Sequence, residues 1–145
     1  MIKLYKICIS LFVLFGFTNL TLAKENFFTE GVKLFDAKKY DDAKFLFERS
    51  IVFEPKHAKS YLYLAKIYKE KKEEKKEEKN LEATLLIDPK NEEAILMLMQ
   101  IGIEKSNYSQ VKELSEKFKR VCVNLCIENK KILEDLKNIE PKNES

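Results

Sequence analysis

Two prolines set the frame in which this chain can fold. Pro55 and Pro89 stand 34 residues apart, each preceded by an acid (Glu54, Asp88) and followed by a lysine and then His57 or Asn91. Phe27, Tyr61 and Ile95 share the same register, as do Gly31, Ala65 and Met99, and Phe47, Leu81 and Ser115. Self-similarity at such a period means stacked supersecondary units, none of which can bury its apolar face alone. The agreement is close between the first two units and fades in the third, where Gly102 stands for Tyr68 and Val123 for the proline.

Within each unit the apolar residues recur at intervals of three and four, the signature of an amphipathic helix. Phe28, Val32 and Phe35 stripe a first helix, and Ala43, Leu46, Phe47 and Ile51 its partner. Leu81, Leu85 and Leu86 mark a fourth helix, Ala94, Met97 and Leu98 a fifth, and Val111, Leu114, Phe118 and Val121 a sixth. Leu125, Ile132, Leu133, Leu136 and Ile139 form a last amphipathic stretch that Pro141 ends. With 45% hydrophobic residues and only three glycines and three prolines in 145 residues, the chain is too apolar for disorder and too poor in breakers for an all-β fold. Asp41 is expected to cap the second helix by accepting from a first-turn amide. No breaker separates Ala58 from Asp88, so helices three and four could also fuse into one.

Tyr61, Leu64, Ala65 and Tyr68 resemble the large, Leu, small, Tyr spacing of the tetratricopeptide repeat, and Ala43, Phe47 and Pro55 supply the second half of that pattern. The small residue lets the two helices of a hairpin approach, the bulky ones fill the groove, and proline stops the second helix. Leu81 and Pro89 repeat the second half one unit later. The resemblance implies an all-α chain, a short α-solenoid of antiparallel helix pairs with units at 24–57, 58–91 and 92–122, and a capping helix and tail at 123–145. Glu74 and Glu77 replace Tyr40 and Ala43, so that corner of the second unit is expected to be loose.

Residues 1–23 carry a short basic start with Lys3 and Lys6, an apolar run from Ile7 to Phe17, and the small-residue close Thr21, Leu22, Ala23. This is the layout of a secretory signal peptide, with cleavage expected between Ala23 and Lys24. The run is short of the roughly 20 residues that span a bilayer, although an uncleaved membrane tether is the competing reading. Removing Lys3 and Lys6 from the 27 basic residues leaves 25 against 24 acids. Such a balance gives no footprint for nucleic acid.

Few residues invite chemistry. The run from Lys69 to Lys79 mixes both signs and reads as a solvated helix end. Cys122 and Cys126, read as four apart on one helix, are expected to pack as small hydrophobes rather than to form a disulfide. His57 is the only histidine and is expected in a turn; with so few soft or imidazole ligands no metal or other cofactor is implied. No nucleophile–base pair or glycine-rich phosphate loop is present, and the chain is not expected to be an enzyme.

The resemblance implies instead a scaffold that holds a peptide or protein segment, and the leader-like residues 1–23 make it an exported one. By analogy its groove falls on Phe28, Val32, Phe35, Leu62, Lys66, Lys69, Leu96, Gln100 and Ile103, a mixture suited to an apolar peptide with an acidic flank. Phe28 and Val32 occupy the sites where some relatives grip a C-terminal carboxylate, which argues against that mode here. A structural, self-associating subunit of an envelope assembly is the alternative.

Overall fold

The computed structural model describes residues 26–139, so the expected leader, its expected cleavage pair Ala23 and Lys24, and Pro141 lie outside the described residues. Among the described residues seven helices follow one another: α1 (residues 26–36), α2 (Tyr40–Phe53), α3 (Ala58–Glu70), α4 (Glu74–Ile87), α5 (Glu92–Glu104), α6 (Tyr108–Val121) and α7 (Cys126–Ile139). The chain divides into two compact units, one reaching to Ser60 and one from Tyr61 onward.

In the first unit aromatic pairs align α1 against α2. Phe27 stacks on Phe53 at 5.4 Å, Phe28 meets Phe47 at 5.7 Å and Phe35 meets Tyr40 at 5.5 Å, so the start of one helix faces the end of the other and the pair is antiparallel. Gly31 makes the approach possible, because a Cβ there would lie 2.8 Å from Cε1 of the fully buried Phe47. The Ser60 hydroxyl donates to Ser50 Oγ at 2.9 Å, and His57 Nδ1 lies 2.7 Å from that hydroxyl, which ties the first turn of α3 to α2. His57 is half-buried, with its ring 4.7 Å from Phe28.

In the second unit α5 is the central helix. Its run from Ala94 to Met99 is buried, as are Ile101 and Gly102. Ala94, Leu98 and Ile101 pack with Leu62, Ala65 and Leu81 of α3 and α4. Ile95 and Met99 pack with Val111 and Phe118 of α6 and with Ile132 and Leu136 of α7. A helix apolar on all sides is one enclosed by neighbours, and α7 covers the side of α5 that carries Ile95 and Met99.

The period of 34 reappears in three dimensions. Each second helix buries the same three positions: Ala43, Phe47 and Ser50 in α2, Glu77, Leu81 and Thr84 in α4, and Val111, Ser115 and Phe118 in α6. Facing positions trade volume. Gly31, Ala65 and Met99 grow along the chain while Phe47, Leu81 and Ser115 shrink, and Gly102 leaves room for Val111, whose Cγ2 would stand 2.7 Å from an added Cβ. Size exchange of this kind keeps a core filled.

The hairpin turns also repeat. Lys38, Lys72 and Ser106 adopt left-handed backbone, with φ of 58°, 57° and 56°. The next residue's amide bonds back five residues in each case: Lys39 to the Leu34 carbonyl at 2.9 Å, Glu73 to Tyr68 at 2.9 Å and Asn107 to Gly102 at 2.7 Å. This closure satisfies carbonyls that a helix end leaves open. It separates α3 from α4, so the two do not fuse. The corner of the second unit is therefore not loose, since the closure is made by backbone and Glu77 lies buried beneath it at 7% exposure. Asp41 is not a cap either. Lys39 holds the capping position without a side-chain bond, and Asp41 and Asp42 sit in the first turn of α2, where the helix dipole favours negative charge.

Cys122 and Cys126 form a disulfide, which corrects the expectation that they only pack. That expectation placed both on one helix. Instead α6 ends at Val121, Cys122 takes extended angles (φ −65°, ψ 137°) and Cys126 opens α7, so their Cα atoms come within 5.4 Å across a turn. The turn wraps around the carboxylate of Glu92, the first residue of α5. Val123 N–H donates to Glu92 Oε1 at 2.7 Å, Leu125 N–H to Oε2 at 2.7 Å, and Asn124 N–H to both, at 3.2 and 3.1 Å.

Burial pushes the Glu92 carboxyl up, but the three amides outweigh it and hold its pKa below the ordinary 4.5. A lowered acid pKa contributes stability that is present above about 4.5 and is lost as pH falls through the lower folded value. Glu92→Gln is therefore expected to destabilise the chain at neutral pH, because the amide nitrogen it introduces cannot accept from the turn. Urea unfolding should show the gap to the unmodified chain narrowing under acid.

Candidate peptide-binding face

Within the second unit, α3 and α5 are tied side by side by two polar bridges. Lys66 Nζ pairs with Glu93 Oε1 at 2.8 Å while lying 4.7 Å from the centre of the Tyr63 ring. One helical turn further, Lys69 Nζ donates to Gln100 Oε1 at 2.8 Å. The amines expected to meet an acidic flank are thus engaged within the protein.

The other expected groove positions separate into distinct settings. Leu62 and Leu96 are only 6% and 8% exposed and belong to the core under the face. Gln100 is exposed and Ile103 half-buried, so these two of the α5 residues offer surface. In the first unit Phe28, Val32 and Phe35 are half-buried, and the two phenylalanines are spent largely on the aromatic contacts that hold α1 to α2.

Two clefts open on this part of the second unit. One, of about 310 Å³, lies between α5 and α7, with Ile103, Ile132 and Ile139 as its apolar wall and Glu104, Asp135 and Asn138 as its polar edge. The other, of about 280 Å³, sits where α3, α4 and α5 meet and is lined by Lys69, Lys72, Glu74, Glu77 and Glu104 together with Ile101. Gln100 and Glu104 border both. At the rim of the second cleft Lys105 pairs with Glu78 at 2.6 Å and with Glu74 at 3.1 Å, and these bonds raise its pKa. Carboxylates outnumber amines along the two clefts, so the surface favours a basic rather than an acidic guest.

Glu77, expected only to loosen the packing of its corner, lines the second cleft. Its equivalents Ala43 and Val111 are apolar and 0% exposed, yet Glu77 is almost as deeply buried. Its carboxylate accepts no hydrogen bond from any described residue. Burial raises its pKa above 4.5, the Lys69 charge opposes this, and Glu104, Glu74 and Glu78 add to the rise.

Neither a protein-family model nor a curated protein matches the chain by sequence. Solved structures do match by shape. The type III secretion chaperone SycD of Yersinia enterocolitica, in complex with a peptide of the translocator YopD, superposes with a TM-score of 0.71 at 14% identity, covering 79% of this chain and 92% of SycD. The Sgt2 TPR domain from Aspergillus fumigatus gives 0.61 at 21% identity, over 84% of this chain and 87% of that domain. MamA gives 0.57 at 19% identity, with 79% of this chain covering 61% of MamA. The chain has the all-α fold of tetratricopeptide-repeat domains, a short α-solenoid of antiparallel helix pairs.

A raised acid pKa means that folding opposes ionisation. The stability attached to Glu77 is fully present below about 4.5 and is lost as pH rises through the higher folded value. Glu77→Gln is expected to unfold at higher urea than the unmodified chain at neutral pH. The two midpoints should converge below 4.5.

Proposed function

We propose that the chain is an exported protein-interaction scaffold that binds an extended peptide or protein segment along α3, α5 and α7. The observation that carries this reading is the pair of clefts sharing Gln100 and Glu104 on a tetratricopeptide-type framework. The fold is shared with a chaperone solved with a bound peptide, which supports holding a segment rather than transforming one. Export is supported by the leader at residues 1–23 and by the Cys122–Cys126 disulfide, a bond that persists in oxidising compartments. A self-associating envelope subunit is the second reading, favoured by Val123 and Ile127 beside the disulfide, which are 79% and 67% exposed.

Expression of the full chain in an exporting host tests the proposal. A mature chain beginning at Lys24, monomeric by light scattering and enriching discrete sequences from a displayed random-peptide library, is the expected result. A chain that keeps Met1 and stays in the cytosol overturns export, and a defined oligomer that enriches no peptide replaces the scaffold with the subunit.

A further inference from the structure

The scaffold reading leaves open what kind of segment is bound, and Glu77 bears on that. At the same position in the other two units the chain places Ala43 and Val111, both 0% exposed. A carboxylate there gives up packing and carries a desolvation cost that only the charge of Lys69 opposes. Departures from a repeat's own packing rule concentrate where a protein does something besides fold. Glu77 also lines an open cleft, with Glu104 of α5 and Glu74 of its own helix beside it.

Among the described residues no lysine bonds to Glu77, although Lys69 and Lys72 both line its cleft. Lys69 Nζ donates to Gln100, and its charge reaches Glu77 through space only. Lys105 is held by Glu74 and Glu78. The cleft therefore presents a recessed anionic group with no cation bonded to it, next to an apolar cleft between α5 and α7.

Resting on the scaffold reading, we propose that the cleft between α3, α4 and α5 receives a basic side chain of the bound segment. Its cation pairs with the carboxylates of Glu77 and Glu104, while a neighbouring apolar residue seats on Ile103, Ile132 and Ile139. The partner is thus a basic and apolar segment, with arginine favoured over lysine because its planar fork can meet both carboxylates and the Gln100 amide oxygen. Binding removes the isolation of Glu77, so the cost carried by the empty cleft becomes selectivity for the charged guest.

The test pans a displayed random-peptide library against the full chain and measures the enriched peptides against Glu77→Gln and Glu104→Gln. Glu77→Gln keeps the fold by the argument above, and a thermal melt of each variant confirms it. Enriched peptides should carry Arg or Lys beside an apolar residue. Replacing that basic residue by Gln, or Glu77 by Gln, should each weaken binding about tenfold, and combining them should cost little more than either alone. Peptides enriched without a basic residue, or bound by Glu77→Gln as tightly as by the unmodified chain, overturn the basic-guest assignment and leave the scaffold standing. Enrichment of no peptide removes the scaffold reading itself and the assignment with it.

Discussion

The backbone closure at the hairpin turns is the constraint on which the helix pairs depend. A left-handed residue at Lys38, Lys72 and Ser106, followed by an amide that bonds back five residues, ends each first helix and reverses the chain within three residues. Left-handed backbone is costly for a side chain other than glycine's, by roughly 1 kcal/mol, and the chain accepts that cost at all three turns. What offsets it is the packing that reversal permits. In the first unit Gly31 admits Phe47, and in the second Gly102 admits Val111. Without the reversal neither contact could form.

The second unit shows how that hairpin logic produces a surface with chemical character. Because α5 is enclosed by α3, α4, α6 and α7, its exposed residues are few, and Gln100, Ile103 and Glu104 among them fall between neighbouring helices rather than on an open flank. The same helix begins with Glu92, whose carboxylate gathers the amides of the disulfide turn and so fixes where α7 starts. Positioning of α7 in turn forms one wall of the apolar cleft. Structure at one end of α5 and surface at its other end are therefore linked through a single element.

Much of this was legible in the residues. Pro55 and Pro89, the Tyr61 to Tyr68 spacing and the apolar stripes were enough for helix pairs at a period of 34. The turns were harder to read, because lysine and serine stand where glycine usually announces left-handed backbone. The disulfide was missed because spacing alone cannot reveal that α6 ends at Val121, one residue before the first cysteine. Glu92 was invisible for a related reason, since its partners lie 31 to 33 residues away and are backbone amides. Glu77 was noticed as a mismatch with Ala43, but only burial among Lys69, Glu74 and Glu104 gave it a possible role. Lys66 and Lys69 show as free cations in the sequence because their partners Glu93 and Gln100 lie 27 and 31 residues further on.

The same hairpin turn recurs at Lys38, Lys72 and Ser106 even where the side chains stop repeating. Solution NMR of the full chain tests it at Lys38, Lys72 and Ser106. The account predicts a strong intraresidue amide-to-Hα contact at each of the three, as positive φ requires, with slow exchange of the amides of Lys39, Glu73 and Asn107. Unbroken helical contacts running from Glu70 through Glu74 would contradict it, because α3 and α4 would then be one helix and the cleft around Glu77 could not exist.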